Sequence, residues 1–491
     1  MATLMRCPFT PLLLAALAAC SPDQAPEPEK VKRPNVLLIV VDTLRADRIS
    51  AYGYARETTP VLDALAEQGV LASDVTAQAS WTKPSMVSMF QGRYVTSYRD
   101  VFFEDTPTLA ETFQRAGYHT LGIVGNGLLS EKTGFDRGFD HYESRSKKIG
   151  QGGRTLPARE AAELIGDAAA PLEFATERRP DDEHVPFFAY LHFMDPHGPY
   201  KAHPKLAKHL PVSAGAKRWN LQTQRLRYGA THPGAVVANE LWQEMAEDMA
   251  RYDQEVYTCD VYIGKVLDLL ERRGALENTI VAVVSDHGEG LWDHVSPAEA
   301  LNPAAAPRDH FFRPHGKVLY EELVRTPMIL KGPGVPAGQR IDSPVENIDL
   351  FPTLLELCDL APTGGLHGQS LVPAMSGQGT GREHVFSSVD MFCSSVRSPG
   401  ATTDWKLIVP TEHYPARKVE LFDISTDPSE LQNLAAARPE VVARLRTTLE
   451  AWADDHPTQT NLGQKKDQQT LEDLKALGYA DGDEGEGQSD D

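Results

Sequence analysis

Five nearly uninterrupted apolar runs, separated by polar turns and amphipathic segments, constrain the fold of this chain more than any other feature. A strand that is apolar on both faces must be covered on both sides, which is typical of a mostly parallel sheet flanked by helices. With 491 residues, the chain is long enough for one large α/β domain and a smaller second domain. The predicted strands span residues 35–41, 120–125, 186–193, 279–285 and 326–331.

Helical signals lie between and after these runs. Residues 59–69 begin with Thr59 as the expected cap and Pro in the first turn, and they end at Gly, which predicts one helix. Residues 348–358 have the same amphipathic spacing. From about Val385 the pattern changes to short strand-like pieces, followed by one helix at 439–455. The expected organisation is a catalytic α/β domain over 35–384, a small antiparallel α+β domain over 385–455 and a polar, acidic, solvated tail over 456–491.

Residues 1–20 have the pattern of an export signal. One Arg precedes an apolar run that is too short to cross a bilayer, and small residues follow, ending in Leu-Ala-Ala-Cys. This ending resembles the lipobox of bacterial lipoproteins, in which cleavage exposes a Cys, here Cys20, to lipid attachment; an ordinary signal peptide cut nearby is the alternative. Residues 21–34 are Pro-rich and charged, which suits a tether. We expect a lipoprotein of the bacterial cell envelope, anchored to the membrane on its periplasmic or cell-surface side.

The composition excludes some partners. The 69 acidic and 48 basic residues give a formal net charge of -21, so the phosphates of nucleic acids and anionic lipids would be repelled from most of the surface. An anionic substrate therefore needs a local cationic site. Once the signal is removed and Cys20 is acylated, Cys259, Cys358 and Cys393 remain. Their odd number and wide spacing predict buried thiols instead of a disulfide framework or a metal cluster.

Two acidic residues directly follow predicted strands. Asp42 comes after the first strand and Asp286 after the fourth, and open α/β folds hold their ligands at the edge where parallel strands end. His287 adjoins Asp286, and the glycines of the segment SDHGEG permit a sharp turn that lets both side chains face one point. These three residues can converge on one cation, although an Asp at a strand end is also explained as a cap.

A hydroxyl residue occupies the start of another predicted helix. In the segment QASWTKPSMVSMFQGRY, Pro84 suits the first turn of a helix that runs to about Gln91, and Thr82 lies at its entrance. The free N–H groups and the dipole of a helix N-terminus favour a bound oxyanion. A hydroxyl in this place is most often a cap, but a divalent ion beside it would lower its pKa and make it a usable nucleophile.

Seven segments carry a family resemblance: NVLLIVVDTLRADRISAYGY, GYHTLGIVGNG, YLHFMDPHGPY, YDQEVYTCDVYIGKVLDLL, NTIVAVVSDHGEG, HGKVLYEELVRTPMILKGPG and ELFDISTDPSELQNLA. In this order they resemble the sulfatase family of the alkaline phosphatase superfamily, over residues 34–455. The resemblance implies an alkaline phosphatase-like α/β sandwich. It also implies metal-dependent cleavage of an anionic sulfate or phosphate-type ester.

The family motif Cys/Ser-x-Pro-Ser-Arg has its counterpart at residues 82–86, which read Thr-Lys-Pro-Ser-Met. In the family, the first residue of the motif is oxidised to formylglycine, an aldehyde. Oxidation of Thr, a secondary alcohol, would give a ketone, so no formylglycine is expected at Thr82. The resemblance instead implies an unmodified Thr82 nucleophile, as in related phosphoethanolamine transferases, with Lys83 and Ser85 in contact with the substrate.

The resemblance also implies the ligands of one divalent ion, namely Asp42, Thr82, Asp286 and His287. The second Asp of the family is Thr43 here, and His287 stands where many arylsulfatases have Asn. This set is similar to that of the phosphonate monoester hydrolases. An imidazole ligand shifts the preference from Ca²⁺ towards Mn²⁺, Fe²⁺ or Zn²⁺, and the choice among these four ions stays open.

Four further residues receive roles from the resemblance. His197 matches a family His that contacts the nucleophile or the substrate oxygens. His315 and Lys317 match the segment that stabilises the ester and protonates the leaving group, without indicating which of the two acts. Asn126 falls where arylsulfatases have a Lys; it is expected to bind the substrate without that cationic contact.

Three functions are compatible with these patterns. The first is hydrolysis of a sulfate, phosphate or phosphonate ester by Thr82. The second is transfer of a phosphoryl-type group through Thr82 to an acceptor at the envelope, although the transferases of this kind usually carry membrane helices. The third is a binding protein that has kept the fold and the metal but lost catalysis. Loops at 231–248 and 296–314 are expected to shape the pocket, but their residues indicate no particular substrate.

The lipid anchor is tested by metabolic labelling. Cells that make the protein in the presence of labelled palmitate should yield a labelled chain, because acylation follows cleavage of the signal at Cys20. A Cys20→Ala variant should carry no label and should appear in the soluble fraction after export. Membrane association of the exported variant would contradict the anchor.

Overall fold

The computed structural model describes most of the chain from Arg33 to His456. The described residues are 33–95, 102–144, 147–149, 154–156, 160–177, 185–210, 239–291, 293–294, 315–361, 363–389, 392–411 and 418–456, with the backbone alone at 147–149, 154–156 and 239–245. The predicted signal peptide with Cys20, most of the tether, the loop at 296–314 and the tail beyond His456 lie outside these residues. The loop at 231–248 lies partly outside them.

Helices and strands alternate along the chain, as the apolar runs predict. The strands are β1 (Asn35–Val41), β2 (Val70–Thr76), β3 (His119–Val124), β4 (His141–Ser144), β5 (Lys147–Ile149), β6 (Arg154–Leu156), β7 (Phe187–Phe193), β8 (Thr279–Val284), β9 (Arg325–Lys331), β10 (Gln339–Ile341), β11 (Val345–Glu346), β12 (Val385–Val389), β13 (Cys393–Ser398), β14 (Trp405–Pro410) and β15 (Glu420–Asp423). The α-helices are α1 (Pro60–Glu67), α2 (Thr82–Gln91), α3 (Leu109–Arg115), α4 (Ala161–Ala175), α5 (Asn239–Arg272), α6 (Glu321–Val324), α7 (Leu350–Leu357), α8 (Val372–Met375) and α9 (Pro439–Asp455). None of the described helices is long and apolar enough to cross a membrane.

The main sheet is mostly parallel, with β1 near its centre. Within the described residues its strand order is β10-β2-β9-β8-β1-β7-β3-β4, and β11 also pairs with β2. β8, β1, β7, β3 and β4 run parallel to one another, whereas β9 is antiparallel to both of its neighbours. Because β9 reverses the direction, β2 points the same way as β8. The carboxyl ends of β1, β2, β3, β7 and β8 therefore lie at one edge of the sheet.

All five predicted strands are present as β1, β3, β7, β8 and β9. The apolar pattern misses β2, whose sequence VLASDVT is interrupted by Ser73 and Asp74. The register of β2 against β9 shifts between Ala72 and Val75. At this bulge the carboxylate of Asp74 lies 2.7 Å from the guanidinium of Arg397. The irregularity lets polar residues leave the core side of the strand, which hides the strand from an apolar pattern.

Helices cover both faces of the main sheet. Alternate residues of β1 point to opposite faces: Val36 and Leu38 join one core cluster with α2 and α7, whereas Leu37 and Ile39 join another with α4 and α5. Every residue of β1 is buried, as predicted for a strand covered on both sides. The predicted buried thiols are also present in the described residues, where no disulfide joins them: Cys259, Cys358 and Cys393.

A smaller antiparallel sheet follows, with the strand order β12-β13-β14-β15. Helix α9 packs on it through Leu445 and Trp452. The Nζ atom of Lys406, on β14, lies 2.8 Å from Glu321 and 2.9 Å from Glu430, and all three side chains are buried. This ion cluster joins the smaller sheet to α6, the helix that leads into β9. The large sheet with flanking helices and the smaller antiparallel sheet confirm the predicted fold class.

The N-terminus of α1 is capped by a residue from another helix. Thr59 is the N-cap residue, as the sequence predicts, but its side chain makes no capping hydrogen bond. Instead, the backbone N–H groups of Val61 and Leu62 donate to the two carboxylate oxygens of Asp260 on α5, each at 2.9 Å. The pattern therefore locates the start of the helix but not the group that caps it.

Removal of this distant cap should destabilise the protein. An Asp260→Ala variant leaves two helix N-terminal N–H groups without their acceptor, so we expect a loss of about 1–3 kcal/mol in the free energy of unfolding, measured with urea. Asp268→Ala is the matched control, because Asp268 is exposed on the same helix; it should change the free energy by about 0.5 kcal/mol or less. Equal effects of the two substitutions would contradict the cap.

Candidate active site

The edge where β1, β3, β7 and β8 end collects the polar residues of the site. Asp42 follows β1, Asn126 lies just beyond β3 and Asp286 lies just beyond β8. His192 is the penultimate residue of β7. All four side chains are 0% exposed. The parallel strands thus bring together residues that are far apart in sequence.

Thr82 reaches this edge from the N-terminus of α2. Trp81 is the extended N-cap residue, Thr82 is the first helical residue, and Gly92 ends the helix in the left-handed conformation with φ 59°. The predicted helix is therefore present. Thr82 Oγ1 lies 3.3 Å from His287 Nε2 and 3.4 Å from Asp42 Oδ2. The structure brings Thr82 together with predicted metal ligands.

Asp42 presents one carboxylate oxygen to the protein and keeps the other apart. Its Oδ2 accepts hydrogen bonds from Asn126 Nδ2 at 2.8 Å and from His192 Nε2 at 3.0 Å. Its Oδ1 is buried and accepts no hydrogen bond from the residues that the structure describes. A buried carboxylate oxygen without a donor is unfavourable unless a cation lies against it.

Asp286 is arranged in the same way. Its Oδ1 accepts from the backbone N–H groups of His287 at 2.8 Å and of Thr43 at 3.2 Å. Its Oδ2 is buried without a donor in the described part of the chain. Each carboxylate therefore has one oxygen fixed by protein donors and one oxygen available to a cation.

The ring of His287 is oriented so that Nε2 can bind a metal. Its Nδ1 lies 2.8 Å from the carbonyl oxygen of Gly288. A carbonyl only accepts, so Nδ1 carries the hydrogen and Nε2 keeps its lone pair. One ligand atom from each of Asp42, Asp286 and His287 lies within 4.8 Å of the others. Two carboxylate oxygens and one imidazole lone pair fit the divalent ion that the sequence predicts.

The two carboxylates influence each other electrostatically. Burial raises the pKa of Asp42, but the hydrogen bond from His192 and the neighbouring imidazoles of His197 and His287 outweigh it and hold this pKa below its ordinary value. For Asp286, burial and the negative charge of Asp42 raise the pKa. A cation between the two groups would remove this repulsion and stabilise both ionised forms.

Two site residues escape the sequence analysis, His192 and Tyr190. The hydroxyl of Tyr190 lies 2.7 Å from His192 Nδ1, and His192 Nε2 donates to Asp42. Both side chains are 0% exposed within β7. The signal that could have found them is a His within the otherwise apolar segment YLHF.

Asn126 contacts Asp42, a predicted metal ligand, and also lies near Thr82. Its Nδ2 donates to Asp42 Oδ2 and lies 3.5 Å from Thr82 Oγ1. The orientation of the amide is fixed because its Oδ1 accepts from the backbone N–H of Leu128 at 2.9 Å. Contact between Asn126 and the substrate stays a prediction.

Thr43 forms a strained turn directly after Asp42, the predicted metal ligand that follows β1. Its φ of 56° lies in the left-handed region, which is unfavourable for a β-branched residue. This conformation aims its backbone N–H at Asp286, while the carbonyl of Thr43 accepts from the hydroxyl of Tyr252 at 2.7 Å. The N–H of the next residue, Leu44, donates to Ser285 Oγ at 2.9 Å. The turn thereby ties the end of β1 to the end of β8.

His197 and His315 lie side by side at the site. Their ring centroids are 5.2 Å apart, and the ring of His315 is 5.3 Å from that of His287. His197 Nδ1 is 2.8 Å from the carbonyl oxygen of Gly198, and His315 Nδ1 is 2.6 Å from Glu289 Oε1. Glu289, which the sequence analysis did not single out, therefore orients His315. An acid directly after the Asp-His-Gly segment is the signal that could have found it.

The described contacts of Ser85, Lys83 and Lys317 do not by themselves indicate a role in substrate binding or proton transfer. Ser85 Oγ donates to the backbone carbonyl of Asp286 at 2.5 Å, so it supports the turn that carries this ligand. Lys83 is buried in the first turn of α2. Lys317 is half-buried, with Nζ 5.9 Å from the ring centroid of Phe392. Substrate binding by Lys83 and Ser85, and proton transfer by Lys317, stay predictions.

Comparison with known proteins relates this site to ester-cleaving enzymes. The sequence matches the sulfatase family over residues 34–360 and the family of C-terminal regions of N-sulphoglucosamine sulphohydrolase over residues 311–455. A sulfatase of Formosa agariphila is 26% identical over an alignment that covers 74% of this chain and 77% of that protein. An N-acetylglucosamine-6-O-sulfatase of Bacteroides thetaiotaomicron is 24% identical over an alignment that covers 91% of each chain.

Solved structures share the fold. A structure in complex with its substrate D-glucosamine-2-N,6-O-disulfate superposes with a TM-score of 0.64 at 21% identity, covering 86% of this chain and 98% of the other. The phosphonate monoester hydrolase of Agrobacterium radiobacter superposes with a TM-score of 0.63 at 19% identity, covering 89% and 99%. At these identities the likeness shows the fold alone, and the family follows from the sequence match over more than half of the chain. This chain belongs to the sulfatase family.

Proposed function

We propose that the chain is a metal-dependent ester hydrolase in which the unmodified hydroxyl of Thr82 attacks a sulfate, phosphate or phosphonate ester. The observation that carries the proposal is the position of Thr82 Oγ1, 3.3 Å from His287 Nε2 and 3.4 Å from Asp42 Oδ2 at the N-terminus of a buried helix. A divalent ion held by Asp42, Asp286 and His287 would lower the pKa of this hydroxyl and offset the charge of the substrate.

The proposed reaction has two displacement steps. In the first, Thr82 Oγ1 bonds to the phosphorus or sulfur atom as the bond to the leaving oxygen breaks. The leaving alcohol receives a proton from His315 or Lys317, and the proton of Thr82 passes to a neighbouring base. His197 suits that role because its Nδ1 donates to Gly198, which leaves Nε2 as the accepting nitrogen. In the second step, water attacks the same phosphorus or sulfur atom and gives a proton to the His315 or Lys317 group that protonated the leaving alcohol. The bond to Thr82 Oγ1 breaks, and Thr82 regains its proton from His197.

An unmodified alcohol favours phosphorus over sulfur. The hydrate of formylglycine has a second hydroxyl, from which sulfate can be expelled by elimination. Thr82 has only one hydroxyl, so a sulfated Thr82 would turn over slowly. A phosphorylated Thr82 can instead be released by attack of water at phosphorus. We therefore expect phosphate and phosphonate esters to be cleaved better than sulfate esters.

The relatives support an anionic ester as the substrate. One of them is a sulfatase of a 6-O-sulfated amino sugar, and a protein of the same fold is a phosphonate monoester hydrolase. Transfer of a phosphoryl-type group to an acceptor other than water is the second candidate, because Thr at position 82 resembles the nucleophile of phosphoethanolamine transferases. A lipid anchor at Cys20 would place either reaction at the bacterial cell envelope.

Metal dependence is tested by elemental analysis of the purified protein. The wild type should contain about one divalent ion per chain, and Asp286→Ala should lose it because the substitution removes one of two carboxylate ligands. An ion supplied at about 100 times its Kd should raise the free energy of unfolding of the wild type by about 2.7 kcal/mol. It should have little effect on Asp286→Ala. Asp268→Ala is the control and should retain the ion. A wild type without stoichiometric metal would contradict the site.

The nucleophile is tested with matched aryl sulfate, phosphate diester and phosphonate ester substrates. Thr82→Ala should lower kcat by at least about 100-fold, because the covalent step has no substitute, while the variant stays folded. Ser88→Ala is the matched control. It removes a buried hydroxyl from the same helix, and this hydroxyl makes no hydrogen bond within the described residues.

Two results would contradict the mechanism. One is an alanine variant at position 82 with wild-type activity, and the other is turnover of the sulfate ester that exceeds turnover of the phosphorus esters. Product analysis with an added alcohol distinguishes hydrolysis from transfer, since a transferase would place the phosphoryl-type group on the alcohol.

A further inference from the structure

We propose that Tyr190 and His192 are positioning residues that hold Asp42 as a ligand through a single oxygen. We further propose that they thereby select small divalent ions of the Zn²⁺ class over Ca²⁺. The inference rests on the proposed metal site and is independent of which ester is cleaved. It concerns residues of β7, a strand that supplies none of the predicted ligands.

The two carboxylate oxygens of Asp42 face different groups. Its Oδ2 lies 2.8 Å from Asn126 Nδ2 and 3.0 Å from His192 Nε2. Both donors come from buried, rigid positions, and the two hydrogen bonds fix the plane of the carboxylate. Only Oδ1 is left for a cation. Bidentate binding by Asp42 would require Oδ2 to give up these donors.

The two carboxylate oxygens of Asp286 also face different groups. Its Oδ1 accepts from two backbone N–H groups, at 2.8 Å and 3.2 Å, so only Oδ2 remains. The described residues at the site therefore offer two single carboxylate oxygens, the Nε2 of His287 and the hydroxyl of Thr82. Ca²⁺ prefers six to eight oxygen ligands, often including a bidentate carboxylate, whereas Zn²⁺ accepts about four ligands with nitrogen among them. This donor set fits Zn²⁺ and similar ions better than Ca²⁺.

Tyr190 acts on Asp42 through His192. The hydroxyl of Tyr190 lies 2.7 Å from His192 Nδ1. Because a carboxylate oxygen accepts, His192 Nε2 donates to Asp42, and Nδ1 faces the hydroxyl of Tyr190 as its own hydrogen-bond partner. Without that hydroxyl, the buried Nδ1 would lose its hydrogen-bond partner, and the orientation of the His192 ring would no longer be fixed from that side.

Core packing holds the side chains of Tyr190 and His192 in place. The ring of Tyr190 packs edge-on against Phe90, with centroids 4.9 Å apart, and lies over Phe139 at 6.1 Å. Tyr190 and His192 are both 0% exposed. A chain of contacts therefore runs from the aromatic core through Tyr190 and His192 to Asp42. Because both side chains are buried, surface water is not positioned to replace the hydrogen bond that His192 donates to Asp42.

The experiment measures metal affinity, not turnover. Metal-stripped wild type, Tyr190→Phe, His192→Leu and His192→Gln are titrated separately with Zn²⁺ and with Ca²⁺ by calorimetry, after circular dichroism has confirmed the fold of each. The wild type should bind Zn²⁺ more tightly than Ca²⁺. His192→Leu should weaken Zn²⁺ binding by about 10–100-fold, and Tyr190→Phe by about tenfold. Both should change Ca²⁺ binding less, because Oδ2 of Asp42 is then held less firmly by its donors and can approach a larger ion, so the ratio of the two affinities falls.

The conservative variants separate positioning from general damage. His192→Gln carries an amide N–H that can donate to Asp42, so it should retain more of the Zn²⁺ preference than His192→Leu. Tyr190→Phe keeps the ring packing, so it reports on the hydroxyl even if His192→Leu does not fold. His119→Gln, at the opposite end of neighbouring β3 and partly exposed, is the control and should match the wild type.

Each outcome decides between the proposals. Folded Tyr190→Phe and His192 variants with the wild-type ratio of Zn²⁺ to Ca²⁺ affinity would overturn the positioning role while leaving the metal site intact. A wild type that prefers Ca²⁺ would overturn the assignment of ion class. A wild type that binds neither ion would overturn the metal site itself, and with it the metal dependence of the proposed function. A wild type that binds the metal but cleaves none of the esters would count against the proposed reaction alone.

Discussion

The burial of two carboxylates at one point, Asp42 and Asp286, is the constraint on which the rest of the site depends. Both are 0% exposed. A buried charge costs several kcal/mol unless hydrogen bonds or an opposite charge offset it. The structure supplies N–H donors to one oxygen of each group and leaves the other oxygen without one. The protein therefore offsets the buried charge at one oxygen of each carboxylate, and the other oxygen of each is placed to bind a cation.

Only the edge of a mostly parallel sheet could provide these donors. They come from the ends of β3, β7 and β8 and from the turn after β1, segments that lie far apart in sequence. The turn at Thr43 accepts backbone strain, worth of order 1–3 kcal/mol, because its positive φ aims an N–H at Asp286. The fold then adds the N-terminus of α2, which places Thr82 beside both the imidazole and the carboxylate. Strain and buried charge occur together where the chemistry is proposed, as expected when local stability is exchanged for function.

The sequence predicted the elements whose signals are local and missed the features that depend on long-range contact. Apolar runs located β1, β3, β7, β8 and β9, but the bulged β2 did not stand out, because Ser73 and Asp74 interrupt its pattern. Positions at strand ends and the family motifs located Asp42, Thr82, Asp286 and His287. The partners of these residues were harder to find: His192 contacts a residue 150 positions earlier, and Glu289 orients a histidine 26 positions later. A single sequence shows that such residues are polar within apolar surroundings but not which group they face. For the same reason the sequence predicted Thr59 as the cap of α1, although Asp260 supplies the capping oxygens.

Thr82 and Met86 connect these contacts to the chemistry of the nucleophile. In the family motif, the residue at position 86 is Arg and the first residue becomes an aldehyde; here both positions differ. The side chain of Met86 is 0% exposed and belongs to the core cluster beneath the main sheet, where a guanidinium would need a buried partner for its charge. Position 86 therefore serves packing. The groups around Thr82 also depart from the family, because Thr43 replaces its second Asp and His287 stands where many arylsulfatases have Asn. Asp42, Asp286 and His287 nevertheless face one point, whereas a decaying site would be expected to lose such groups as readily as the residues of the maturation motif. This combination fits the proposed alcohol nucleophile, because an alcohol depends on a cation and a base for its reactivity but on no modification.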